Sequence, residues 1–101
     1  MYITNVTYYD FMESIDERVR TLVDKVGMDE LVKRTEISGT RWRTVRYDKR
    51  TRISTQEVEA LTRIYPQYAL WLASGQIIPE SGQTSPDYDE ANRNLTEQNA
   101  G

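Results

Sequence analysis

Residues 28–52, MDELVKRTEISGTRWRTVRYDKRTR, decide the fold. Met28, Leu31 and Val32 recur at helical spacing and form the expected buried side of a first short helix over 28–35. Asp29 and Glu30 sit in its first turn, where negative charge suits the helix dipole. Thr35, Glu36 and Ile37 make a tight corner, with Ile37 turned inward. Ser38 then caps a second helix over 38–47. Its inner face carries Trp42 and Val45, and its outer face Gly39, Thr40, Arg41, Arg43, Thr44 and Arg46. Tyr47 ends it, and 48–52 is a polar, basic loop.

The flanks supply the support such a pair needs. Ser14 with Glu17 three residues on has capping-box spacing, although a start near Thr7 or Asp10 also fits. From there Phe11, Met12, Ile15, Val19, Leu22, Val23 and Val26 form one apolar face, and Gly27 ends the helix. Glu13, Asp16, Glu17, Arg18, Arg20, Asp24 and Lys25 are assigned to the wet face. Downstream, Ser54 and Glu57 repeat the capping box, and Val58, Leu61, Ile64 and Tyr65 carry an apolar face to Pro66. Residues 68–72 are apolar nearly all round, so they must be covered.

Beyond Gly75 the composition changes. Ile77, Ile78 and Pro79 suggest an extended apolar linker, followed by a polar loop. Ser85-Pro86-Asp87 is a helix start, with Tyr88, Ala91 and Leu95 along one side of a final helix over 85–97; the polar end is expected to fray. The expected fold is all-α: a compact bundle of about five short helices, residues 1–76, with a C-terminal extension, 77–101, that holds a further helix.

Composition removes whole classes of chemistry. Cysteine and histidine are both absent, so there are no disulfides, thiol nucleophiles, imidazole bases or zinc sites built on those ligands. No paired carboxylates or phosphate-cradling loop stand out. The expectation is a binding protein, not an enzyme, with no cofactor and no metal. No apolar run is long enough to span a membrane and the first ten residues do not resemble a signal peptide, which leaves the cytoplasm as the expected location.

Charge is unevenly placed. Between Lys33 and Arg52, eight basic residues stand against two acids, a local +6; with a net charge of −3 the remainder carries −9. A positive patch on an acidic body can bind phosphate whatever the total charge.

These spacings resemble the helix-turn-helix of lambda repressor and Cro-type regulators, with one helix before the pair and two after, over residues 9–75. Residues 64–86, IYPQYALWLASGQIIPESGQTSP, also look like the end of small prophage-encoded regulators of this kind. Two positions depart from the pattern: Glu36 stands where the turn usually has glycine, and Val32 where the first helix usually has alanine. The resemblance implies double-stranded DNA as partner and 38–47 as the recognition helix. Ser38, Thr40, Arg41, Arg43, Thr44 and Arg46 would face base edges, with Thr40, Arg41 and Thr44 foremost. Lys33, Lys49, Arg50 and Arg52 would meet phosphates, and Trp42 would anchor the helix from inside.

Members of this family bind as dimers on two half-sites. Tyr68, Trp71, Leu72, Ile77, Ile78, Tyr88 and Leu95 are the candidates for a homodimer interface, because they exceed what a four-helix core needs. The implied function is operator binding by a repressor. The alternatives are a phage or mobile-element protein that uses the same fold to inhibit a host protein, and a DNA-binding antitoxin.

Overall fold

A computed structural model describes residues 13–100, with side chains through residue 95. Among these residues six α-helices run α1 Ile15–Val26, α2 Met28–Arg34, α3 Gly39–Tyr47, α4 Thr55–Ile64, α5 Ala69–Ser74 and α6 Pro86–Ala100. Single 3-10 turns, Pro66–Tyr68 and Pro79–Ser81, precede α5 and α6. The expected all-α bundle is what forms. Its final helix continues past the expected end, to Ala100. The alternative helix starts near Thr7 and Asp10, and the core positions assigned to Phe11 and Met12, lie outside the described residues.

The capping box at Ser14 starts α1. The Ser14 hydroxyl accepts from the Glu17 amide at 3.1 Å, and the Glu17 carboxylate accepts from the Ser14 amide at 3.2 Å. At the other end Gly27 has φ +93° and ψ 147°, a conformation closed to residues with a Cβ. That single residue lets α2 start at once in a new direction.

α1 is the central element, packed on α2 and α3 on one side and on α5 on the other. The core is Val19, Leu22 and Val23 from α1, Leu31, Trp42, Val45, Leu61, Trp71 and Leu72, all at most 8% exposed. Met28, Ile37, Ile53, Val58, Ile64 and Ile77 pack around it. Two residues assigned to the wrong environment are corrected. Val32 does not join the buried side of α2: it is 45% exposed, and its Cγ2 lies 3.4 Å from where a Gly39 Cβ would be. Arg18 is not on the wet face but 4% exposed, where it donates to the carbonyls of Leu72 (3.1 Å) and Glu13 (2.8 Å). Carbonyl partners inside the fold make this burial tolerable, and they tie α1 to the end of α5.

The turn between α2 and α3 is closed by Thr35, which is extended (φ −132°, ψ 168°). Its hydroxyl donates to the Leu31 carbonyl at 2.6 Å and accepts from the Ile37 amide and the Trp42 indole at 3.3 and 3.1 Å. The buried Trp42 ring thereby has its only polar atom satisfied, and the angle between α2 and α3 is fixed through one hydroxyl.

Residues 77–85 fold back on the body. Ile77 packs on the core. The Gln83 side chain accepts from the Leu70 amide at 2.9 Å and donates to the Pro66 carbonyl at 3.0 Å. α6 is held at its first turn: Tyr68 donates to Asp89 at 2.8 Å, and Lys25 pairs with Asp87 and Glu90 at 3.6 and 3.4 Å.

Candidate nucleic-acid interface

α3 turns one face to the core and the other to solvent. Trp42 and Val45, both 0% exposed, fix its rotation. Ser38 caps it, its hydroxyl accepting from the Arg41 amide at 3.1 Å. The expected outer-face residues then divide into two groups.

Thr40 and Arg43 are exposed. Among the described residues no carboxylate pairs with Arg43, nor with Lys33 or Lys49. Thr44 is half-buried, with its hydroxyl donating to the Thr40 carbonyl at 3.0 Å. Arg41 and Arg46 are committed elsewhere. Arg41 forks onto Glu57, Nε to Oε2 and Nη2 to Oε1, both at 2.9 Å, and also donates to the Arg52 carbonyl at 3.1 Å. Arg46 donates twice to Asp24 Oδ1, at 3.1 and 2.7 Å, and lies over the Tyr47 ring. The arginine placed foremost for base reading is therefore a strut between α3 and the start of α4.

Glu57 has its side chain 2% exposed, and burial pushes its carboxyl up. Hydrogen bonds from Arg41 and from the amide and hydroxyl of Ser54, with the Arg41 charge, outweigh this and hold it below the usual carboxylate range. It is ionised at neutral pH and keeps Arg41 in place.

The loop after α3 is shaped from inside. Asp16, Arg20 and Asp24 stand at four-residue spacing on α1 and so form one polar row. Asp16 accepts from Arg52 Nε at 3.1 Å and from the Ile53 amide at 3.3 Å. Arg20 donates to the Val45 carbonyl at 3.0 Å, to Lys49 at 3.4 Å, and to Thr51. Asp24 holds Arg46. The loop's own acid, Asp48, accepts from the Arg50 amide at 3.1 Å. Lys49, Arg50 and Arg52 project outward, the last two with side chains 93% and 88% exposed.

Sequence reasoning missed Glu57, Arg18 and the α1 row. A signal existed for two of them. Glu57 stands four residues before buried Leu61, and Arg18 three after Ile15 and four before Leu22, so both lie on apolar stripes. The row on α1 has no such signal beyond its spacing.

The residues assigned to a homodimer also separate. Trp71 and Leu72 are 8% and 0% exposed within one chain, so the core already occupies them, which corrects their assignment to an interface. Tyr68 stacks on Tyr65 at 6.0 Å and meets Trp71 edge-on at 6.4 Å. Ile77 packs on the core, whereas Ile78, Tyr88 and Leu95 are 42%, 37% and 57% exposed.

Neither a protein-family model nor a curated protein matches the chain. It is similar to a solved structure, that of Pf6r from the filamentous phage Pf6 of Pseudomonas aeruginosa PA01. The two are 56% identical over 83% of this chain and 99% of that one, and superpose with a TM-score of 0.77. With nearly the whole of that phage protein matched at such identity, the chain belongs to the family of Pf6r.

Proposed function

We propose that the protein is a sequence-specific, double-stranded DNA-binding transcriptional regulator: a repressor that occupies an operator as a homodimer and acts by binding, without catalysis or cofactor. The observation that carries this reading is the outer side of α3 and its following loop. There Thr40 and Arg43 on α3, and Lys49, Arg50 and Arg52 in the loop that follows it, are exposed, while Trp42 is buried beneath α3 and Arg41 is paired with Glu57. Kinship with a phage protein and the resemblance to Cro-type regulators agree with it.

In this reading α3 enters the major groove. Thr40 and Arg43 meet base edges, with Ser38 and Thr44 beside them; an arginine fork fits guanine O6 and N7. Arg41 supports the helix from α4 and does not read. Arg46 stays on Asp24 and flanks the groove. Lys33, Lys49, Arg50 and Arg52 take phosphates, and these contacts set affinity and its salt dependence. Ile78, Tyr88 and Leu95 remain as the apolar surface for a second copy, which would space two recognition helices by about 34 Å, one turn of DNA.

The test is unbiased selection of duplexes from a random pool by the purified protein. The expected result is a two-fold repeated site. Failure to enrich any sequence sinks the reading. No helix among the described residues is long and apolar enough to cross a membrane.

A further inference from the structure

Arg20 is charged, comes from α1 and not from α3, and directs its guanidinium to backbone. Its Nε donates to the Val45 carbonyl in the last turn of α3, and its Nη2 to the carbonyls of Lys49 and Thr51. A guanidinium is suited to this because its fork of donors is planar and fixed. Three carbonyls that would otherwise require water are satisfied from beneath, so the chain leaving α3 takes one path. On that path the side chains of Lys49, Arg50 and Arg52 point out. Two neighbouring bonds brace the same segment, Asp16 to the Ile53 amide and Arg41 to the Arg52 carbonyl. Among the described residues the guanidinium of Arg20 donates to carbonyls alone, so it serves the backbone of this segment and not a carboxylate.

We propose that Arg20 is a positioning residue for phosphate binding: it preorganises the loop over 48–52 so that its cations meet the DNA backbone without first being ordered. The proposal rests on the DNA-binding reading above. Ordering a loop at the moment of binding costs conformational entropy, and a loop ordered beforehand avoids that cost.

Arg20→Lys keeps the charge and removes the fork. Two measurements on the full chain test it. Without DNA, trypsin cleavage after Lys49, Arg50 and Arg52 should accelerate about tenfold while the far-UV helical signal stays as in the wild type. With DNA, affinity should fall on all duplexes alike, the order of preferred bases should not change, and the slope of log K against log salt should become shallower by about one. Lys49→Ala should also cost less in the Arg20→Lys background than alone, because both changes disable the same contact. Should the lysine variant lose helical signal, Arg20→Gln is measured in the same way. Wild-type protection of the loop in the variant overturns the proposal. So does a loosened loop with wild-type salt slope and additive Lys49→Ala effects. Wild-type protein that binds no duplex at any salt overturns the DNA-binding reading, and that failure is visible before any variant is made.

Discussion

The loop after α3 and the helix α6 are both polar at the surface, yet they are held in opposite ways. The loop is fastened along its length: carbonyls at Val45, Lys49, Thr51 and Arg52 all accept from guanidinium groups of α1 and α3. Its basic side chains are left outside. α6 is held at its first turn, where Ser85 and Pro86 are buried and Asp87, Asp89 and Glu90 meet Lys25 and Tyr68. Residues 90–95 that follow are all exposed, with Leu95 among them. Rigid backing suits a surface that must match fixed phosphate spacing. A helix that leaves Tyr88 and Leu95 in water suits a surface completed by another molecule.

Removing what lies under α3 should have the largest effect. Trp42→Ala is expected to destabilise by about 3–5 kcal/mol in urea unfolding, the usual range for a buried aromatic. A loss below about 1 kcal/mol would mean that Trp42 does not anchor the helix. Glu57→Ala should cost about 3 kcal/mol, at the low end for a broken buried pair because Arg41 is 33% exposed. The pH dependence follows from the lowered Glu57 carboxyl: its stabilisation is complete above the ordinary carboxyl range and is lost as pH falls through the lower folded value. Below about pH 4 the wild type should therefore lose stability more steeply than Glu57→Gln. Equal slopes would contradict the assignment.

Arg43→Ala should weaken binding to the selected site by about 1–3 kcal/mol and relax preference at one base. Arg41→Ala should act mainly through stability, and a comparable loss of base preference from it would reverse the roles given to the two arginines. On the α6 side, burial and then the Asp89 carboxylate push the Tyr68 phenol up to about 12. The neutral phenol is favoured by folding, so its contribution is complete below about pH 10 and disappears between there and 12. Tyr68→Phe should remove one late-titrating phenol from the ultraviolet titration. The smallest change in chain stability is expected from Leu95→Ala, within about 0.5 kcal/mol. The same variant should nonetheless shift sedimentation toward monomer, and an unchanged profile would remove α6 from any dimer contact.

Much of the fold was legible because periodicity and caps act locally. Ser14 and Ser54 start their helices, Gly27 separates α1 from α2, and Trp42 and Val45 face inward as their spacing requires. Val32 was misplaced because an apolar stripe shows a preferred face, not how near the next helix comes; Gly39 lies against it, and it stays partly in water. The candidate site was legible as a region but not residue by residue. Thr40, Arg43 and the loop cations stand at the surface where the pattern put them. Arg41 and Arg46 have the same outward spacing, but Glu57 and Asp24 draw them aside.

The sequence by itself determined the helices, the turn between α2 and α3, and the concentration of positive charge in 33–52, because these depend on residues a few positions apart. Only the tertiary structure decided which arginines are drawn to partners on other helices and loops. Arg18, Arg20, Arg41 and Arg46 find partners 54, 31, 16 and 22 residues away at the farthest. A long, flexible side chain takes whichever acceptor the packed chain brings within reach, and that choice exists only after the helices have docked.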